Sequence, residues 1–177
     1  MKKKKILSII GAGPVGLFLA SELKDHFDIR VFEKGNEHYK PTSYGVKIFE
    51  KNAEIGPVSA EGIGGGLNIW GGRLAFYDEE DFLGHNFTYQ ELGFEKGYEE
   101  YLLNIGIDEK IIHKQGVKQP FSIEKFIIWN SEKYLKKTKR RVLKSCEVNL
   151  NSELCGIRQV NDKIELIFAD GTVHESD

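Results

Sequence analysis

Ile6-Leu7-Ser8-Ile9-Ile10-Gly11-Ala12-Gly13-Pro14-Val15-Gly16 is the stretch on which the fold turns. A short apolar run, mostly β-branched, suits a strand buried on both faces. It leads directly into the pattern G-x-G-x-x-G. Val15, Phe18, Leu19 and Leu23 then recur at helical spacing, with Glu22 and Lys24 on the other side. Ile29 to Phe32 reads as a second strand, closed by Glu33. Strand, glycine turn, helix, strand and acid follow in the order of a dinucleotide-binding unit, and each part has a physical task. Gly11 permits the tight turn, Gly13 lets the backbone approach a pyrophosphate, and Gly16 lets the helix close on the strand. The helix N-terminus offers unpaired N–H groups and partial positive charge to the phosphates. Glu33 stands where a carboxylate accepts ribose hydroxyls, and it would repel a 2′-phosphate, which favours FAD or NAD over NADP. Gly11, Gly13, Pro14, Val15, Gly16, Glu33 and Lys34 are therefore the expected cofactor contacts of this unit.

The same N-terminus imitates a signal peptide, with Lys2 to Lys5 ahead of an apolar run and small residues at Ala20 and Ser21. Three glycines and Pro14 interrupt the run where a signal peptide needs unbroken helix, so the lysines read as a solvated lead-in. Composition agrees with a soluble chain. Of 177 residues, 40% are hydrophobic, enough for one core, and 25 Lys+Arg nearly balance 27 Asp+Glu. That balance leaves no basic excess for nucleic acid and no apolar span for a membrane. Length favours one domain. Cys146 and Cys155 form no C-x-x-C, and His26, His38, His85, His113 and His174 are scattered, so no metal set is expected. A reducing, cytoplasmic setting is the default for such a chain.

Glycine is concentrated a second time, with six between Gly62 and Gly72. No helix tolerates that density, at about 1 kcal/mol for each glycine against alanine. Ile63, Leu67, Ile69 and Trp70 lie among them, so the loop has to fold against a surface. Backbone for an anion and side chains for a flat ring would suit a ligand-contacting segment.

Gly64-Gly65-Gly66-Leu67-Asn68-Ile69-Trp70-Gly71-Gly72-Arg73-Leu74 resembles the second flavin motif of the glucose–methanol–choline oxidoreductase superfamily, in its choline-dehydrogenase-like branch. There the motif reads Gly-Gly-Thr-Ser-Asn-x-Trp-Gly-Gly-Arg-Leu, with Gly66 and Leu67 here replacing Thr-Ser. The resemblance implies that Gly64, Gly65, Asn68, Trp70, Gly71 and Gly72 lie along the flavin and pyrophosphate. Some relatives attach the flavin through a His before the Trp; Ile69 stands there, which implies non-covalent FAD. Phe87 to Leu92 and Tyr98 to Ile107 resemble the family more weakly. By pattern alone, Leu92, Tyr98, Tyr101 and Leu102 make one apolar helical face suited to core packing.

Ser131 to Arg141 is rich in Lys and Arg and reads as a solvated helix. Glu147 to Leu150 gives a third strand. Glu153 to Val160, Lys163 to Phe168 and Thr172 to Glu175 are short strands with turns at Asn161-Asp162 and Asp170-Gly171. In flavoproteins with this fold, such strands form a meander that crosses the main sheet, which implies that the backbone around Leu154 lies against the adenine. The fold expected is α/β, a Rossmann-like FAD/NAD(P)-binding fold with a three-layer parallel sheet and a β-meander crossover, incomplete at its C-terminal end. Residues 1–177 then form a partial FAD-binding domain. It comprises the βαβ motif at 1–35, the flavin-contacting segment at 61–74, a helical insertion at 87–141, and the third strand and meander at 147–177.

In the resembled family a further strand, a substrate domain and a catalytic histidine follow, so the resemblance implies an N-terminal fragment whose first strand has an unpaired edge open to association. The function implied is the FAD-binding part of an oxidoreductase taking hydride from an alcohol, sugar or polyol, with no catalytic residue in this chain. A non-catalytic adenine-dinucleotide module, or one piece of a split flavoprotein, is the alternative. A nicotinamide-dependent dehydrogenase is a weaker third reading, because it has no use for the Gly64–Arg73 loop.

Overall fold

The computed structural model describes residues 4–42, 59–70, 73–75, 82–88, 90, 91, 103, 105, 107, 126–128 and 131–177. The chain folds as two compact units, residues 1–70 with 135–177, and residues 71–134.

The first unit opens with β1 (Ile6–Ile10), α1 (Pro14–Leu23) and β2 (Asp28–Phe32). β1 and β2 are parallel, in register from Ile6 opposite Asp28 to Ile10 opposite Phe32. The chain next forms the short antiparallel pair β3 (Lys40–Thr42) and β4 (Ser59–Glu61). In the second unit, β5 (Arg73–Ala75) and β6 (Phe126–Ile128) pair antiparallel. Helix α2 (Ser131–Ser145) leads back to β7 (Glu147–Asn149), which adds parallel to β2 and gives the order β1-β2-β7. Strands β8 (Leu154–Val160), β9 (Lys163–Phe168) and β10 (Val173–Ser176) follow as an antiparallel meander. Both turns expected from Asn161-Asp162 and Asp170-Gly171 fall between these strands, with Asn161 and Gly171 at positive φ.

β2 makes the sheet a middle layer. Alternate residues of a strand face opposite ways, and Ile29 and Val31 join Ile9, Leu17, Ala20, Ile63 and Val142 in one buried cluster. That cluster draws on both helices. Phe32 faces the other way and packs with Leu166 and Phe168 of the meander, its ring 4.7 Å from that of Phe168. Helices, parallel sheet and meander are thus three layers of a Rossmann-like α/β fold.

Two local expectations need correction. β1 is not buried on both faces: only Ile9 is buried, and Ile10 is 45% exposed. The cause is position, since β1 lies at the edge of the three-stranded order. Helix α1 is also turned from the expected face. It buries Gly16, Leu17, Ala20 and Ser21, whereas Val15 is 70% and Leu19 40% exposed. The helix is apolar almost all round, so spacing did not select a face. The small residues did, because Gly16 and Ala20 let the backbone come close to the sheet.

The first half of the β1 edge is engaged by the end of the meander. The Ile6 amide donates to Asp177 Oδ2 (2.7 Å) and the Ser8 amide to Ser176 Oγ (3.2 Å). The Ser176 hydroxyl in turn donates to the Ile6 carbonyl. In the second unit, Phe82, His85 and Phe87 cluster, with the His85 and Phe87 rings stacked at 5.4 Å. The helical face expected from Leu92, Tyr98, Tyr101 and Leu102 lies outside the described residues. No helix among the described residues is long and apolar enough to cross a membrane.

Candidate functional site

The glycine turn is built as its spacing requires. Gly11 has φ +92 and donates its amide to the Phe32 carbonyl at 2.7 Å, tying the turn to the end of β2. A Cβ on Gly16 would stand 2.0 Å from the Gly11 carbonyl oxygen, so no side chain fits there. Gly13 caps α1, its carbonyl accepting from Leu17 N at 2.9 Å, and Pro14 follows where its missing N–H leaves no bond unmade. A Cβ on Gly13 would meet nothing within 4 Å, and Pro14 and Val15 are exposed. The outer face of the turn is therefore open.

The second glycine segment lies directly on the first. Gly64 donates its amide to the Ala12 carbonyl at 2.7 Å, and a Cβ on Gly65 would be 3.2 Å from Gly13 Cα. Gly62, Gly64 and Gly65 all have positive φ, a geometry that glycine adopts without strain. Gly65–Asn68 forms a single 3-10 turn. Ile63 and Leu67 are buried beneath it. The Asn68 amide donates to the Ile63 and Gly65 carbonyls, so this side chain closes its own loop. Trp70 is 41% exposed. Gly71 and Gly72 lie outside the described residues.

Glu33 is 7% exposed, and its carboxylate is surrounded by main chain. Oε2 accepts from Ala12 N (2.7 Å), and Oε1 from Gly35 N (2.8 Å) and Gly62 N (3.0 Å). Lys34 reaches Glu153 at 3.0 Å and Glu61 at 3.6 Å. Leu154, beside Glu153, is half-buried against the Phe32 cluster. Gly11, Gly13, Gly16, Glu33, Gly64 and Gly65 are thus one connected main-chain assembly. Lys34 and Glu153 link the tip of β2 to the start of β8, where Leu154 stands.

Sequence reasoning missed Gly35 and Ala12, and missed the part Gly62 takes. A Cβ on Gly35 would lie 2.3 Å from Gly62 N, so the two loops touch only because this residue is glycine. Its place two residues after the acid was the available signal. Among the described residues, no group of three His, Cys, Asp or Glu side chains is placed to hold a metal.

No protein-family model and no curated protein matches the sequence. Solved structures do. A Diels–Alderase of pyrroindomycin biosynthesis is 18% identical, matched over 97% of this chain and 31% of its own, with a TM-score of 0.45. A tetracycline destructase is 13% identical, over 100% of this chain and 38% of its own, at 0.49. A bacillithiol disulfide reductase from Staphylococcus aureus is 17% identical, over 99% and 36%, at 0.41. The chain spans about a third of the length of these proteins. The fold assignment rests on this chain's own strand order and register.

Proposed function

We propose that this chain is the FAD-binding part of an oxidoreductase. The observation that carries the reading is the junction of the two glycine segments, where Gly64 is bonded to Ala12 and Gly65 adjoins Gly13 at the open end of α1. Main-chain groups from two separate stretches converge where a pyrophosphate would rest against a helix N-terminus. The residues present fit such a group. Gly13 and Gly66 leave open space, and Pro14 and Val15 are exposed beside them.

In this reading Gly11, Gly13, Pro14, Val15 and Gly16 hold the diphosphate, and Gly64, Gly65, Asn68 and Trp70 border the flavin end; the other two contacts expected from the motif, Gly71 and Gly72, lie outside the described residues. Glu33, Lys34 and the backbone at Leu154 lie at the adenosine end, where the acid disfavours a 2′-phosphate. Binding is non-covalent, with Ile69 at the position that would carry an attachment. Flavin supplies a hydride acceptor when bound. The resemblance of the Gly64–Leu74 motif supports an alcohol, sugar or polyol as the hydride donor. The protein's part is to bind and orient. The hydroxyl proton would need a general base.

Purified protein mixed with FAD and freed of excess should retain the visible flavin absorption bands, and ADP should compete them away. Tight ADP binding with no flavin retained would favour the non-catalytic adenine-dinucleotide module instead. Failure to bind either would sink both.

A further inference from the structure

Glu33 is the residue a dinucleotide fold offers to the ribose, yet its hydrogen-bonding capacity here is nearly spent. An ionised carboxylate has about four acceptor positions. Three are taken by the amides of Ala12, Gly35 and Gly62, and Oε1 takes two of these. One position on Oε2 is left, too few for a carboxylate oxygen to each ribose hydroxyl. The three amides come from three separate loops, and the carbonyl of each clamped residue carries the connection on. The Ala12 carbonyl accepts from Gly64, that of Gly35 from Asn151, and that of Gly62 from Gly65. The loops are pressed together so closely that a Cβ on Gly35 would strike Gly62.

We infer that Glu33 is a positioning residue, whose carboxylate sets nucleotide affinity by clamping the amides of Ala12, Gly35 and Gly62 and not by gripping the ribose. This rests on the nucleotide-binding reading above. A buried carboxylate without these donors would be left unsatisfied, and so would the amides. Replacing it by an amide side chain keeps the shape but turns an NH2 toward a main-chain N–H, so two donors face each other.

The test compares ADP with 2′,3′-dideoxy-ADP on wild type and E33Q by calorimetry, with amide hydrogen exchange on the ligand-free proteins. E33Q should weaken both ligands by about tenfold or more, and by the same factor to within about twofold, since the ribose hydroxyls are not what it loses. The amides of Ala12, Gly35 and Gly62 should be protected in wild type and lose protection together in E33Q. Weakening confined to ADP, or unchanged protection of the three amides, would overturn the inference. If E33Q does not fold, Gly35→Ala takes its place. It moves Gly62 without altering the carboxylate and should weaken both ligands equally; a loss confined to ADP overturns the inference. If wild type binds neither ligand, the nucleotide reading falls and this role with it, whereas a ribose-limited loss leaves that reading standing.

Discussion

Gly16 and Gly35 do the same physical work at two places, bringing main chain to main chain where a methyl group has no room. Adding a Cβ at Gly16 puts it 2.0 Å from a carbonyl oxygen that cannot rotate away. Gly16→Ala should therefore destabilise the fold by about 1–3 kcal/mol, read from the denaturant midpoint at unchanged slope. Gly16 was legible in the sequence because its spacing within G-x-G-x-x-G carries the constraint. The state of Glu33 was not. Its position implied an acid facing a sugar, but its partners at 12, 35 and 62 are adjacent only after folding. The two thiols also differ by environment. Burial pushes the Cys146 thiol up from its ordinary 9.0, whereas Cys155 is exposed. At mildly alkaline pH, iodoacetamide should label Cys155 before Cys146, and mass spectrometry of the partly labelled protein would show the order. Equal labelling would contradict the burial of Cys146.

At the scale of elements, strands and turns were read more securely than helix faces. The three meander strands and their turns were legible because apolar runs alternate with Asn-Asp and Asp-Gly, which have few other uses. Asp170 shows how such a turn is held. Hydrogen bonds from the Thr172 hydroxyl (2.7 Å) and amide (2.9 Å) keep its carboxyl below the ordinary 3.8. A lowered folded value means that the turn's stabilisation is present above pH 3.8 and is lost as pH falls through that lower value. Thr172→Ala removes the larger cause, so an NMR titration of Asp170 should move back toward 3.8. Helix α1 was misread because ten residues with hardly a polar one among them give periodicity nothing to contrast.

Across the whole molecule, β2 connects the layers, since Ile29 and Val31 serve one core and Phe32 the other. The layered plan was legible from the order of motifs, because a parallel pair needs a crossover and a glycine turn announces one. The division into two compact units was not, because no composition shift or proline-rich linker marks residue 71 or 134. The bond from Gly64 to Ala12 spans 52 positions of sequence (64 − 12) and carries a consequence for how the molecule is made. Closing so wide a loop costs entropy that the short G-x-G-x-x-G turn never has to meet. A nascent chain with only its first 50 residues outside the ribosome would hold the complete fingerprint yet lack Gly62 and Gly64, which bond to Glu33 and Ala12. On the reading proposed above, a dinucleotide would meet both glycine segments only after residues 59–65 have emerged.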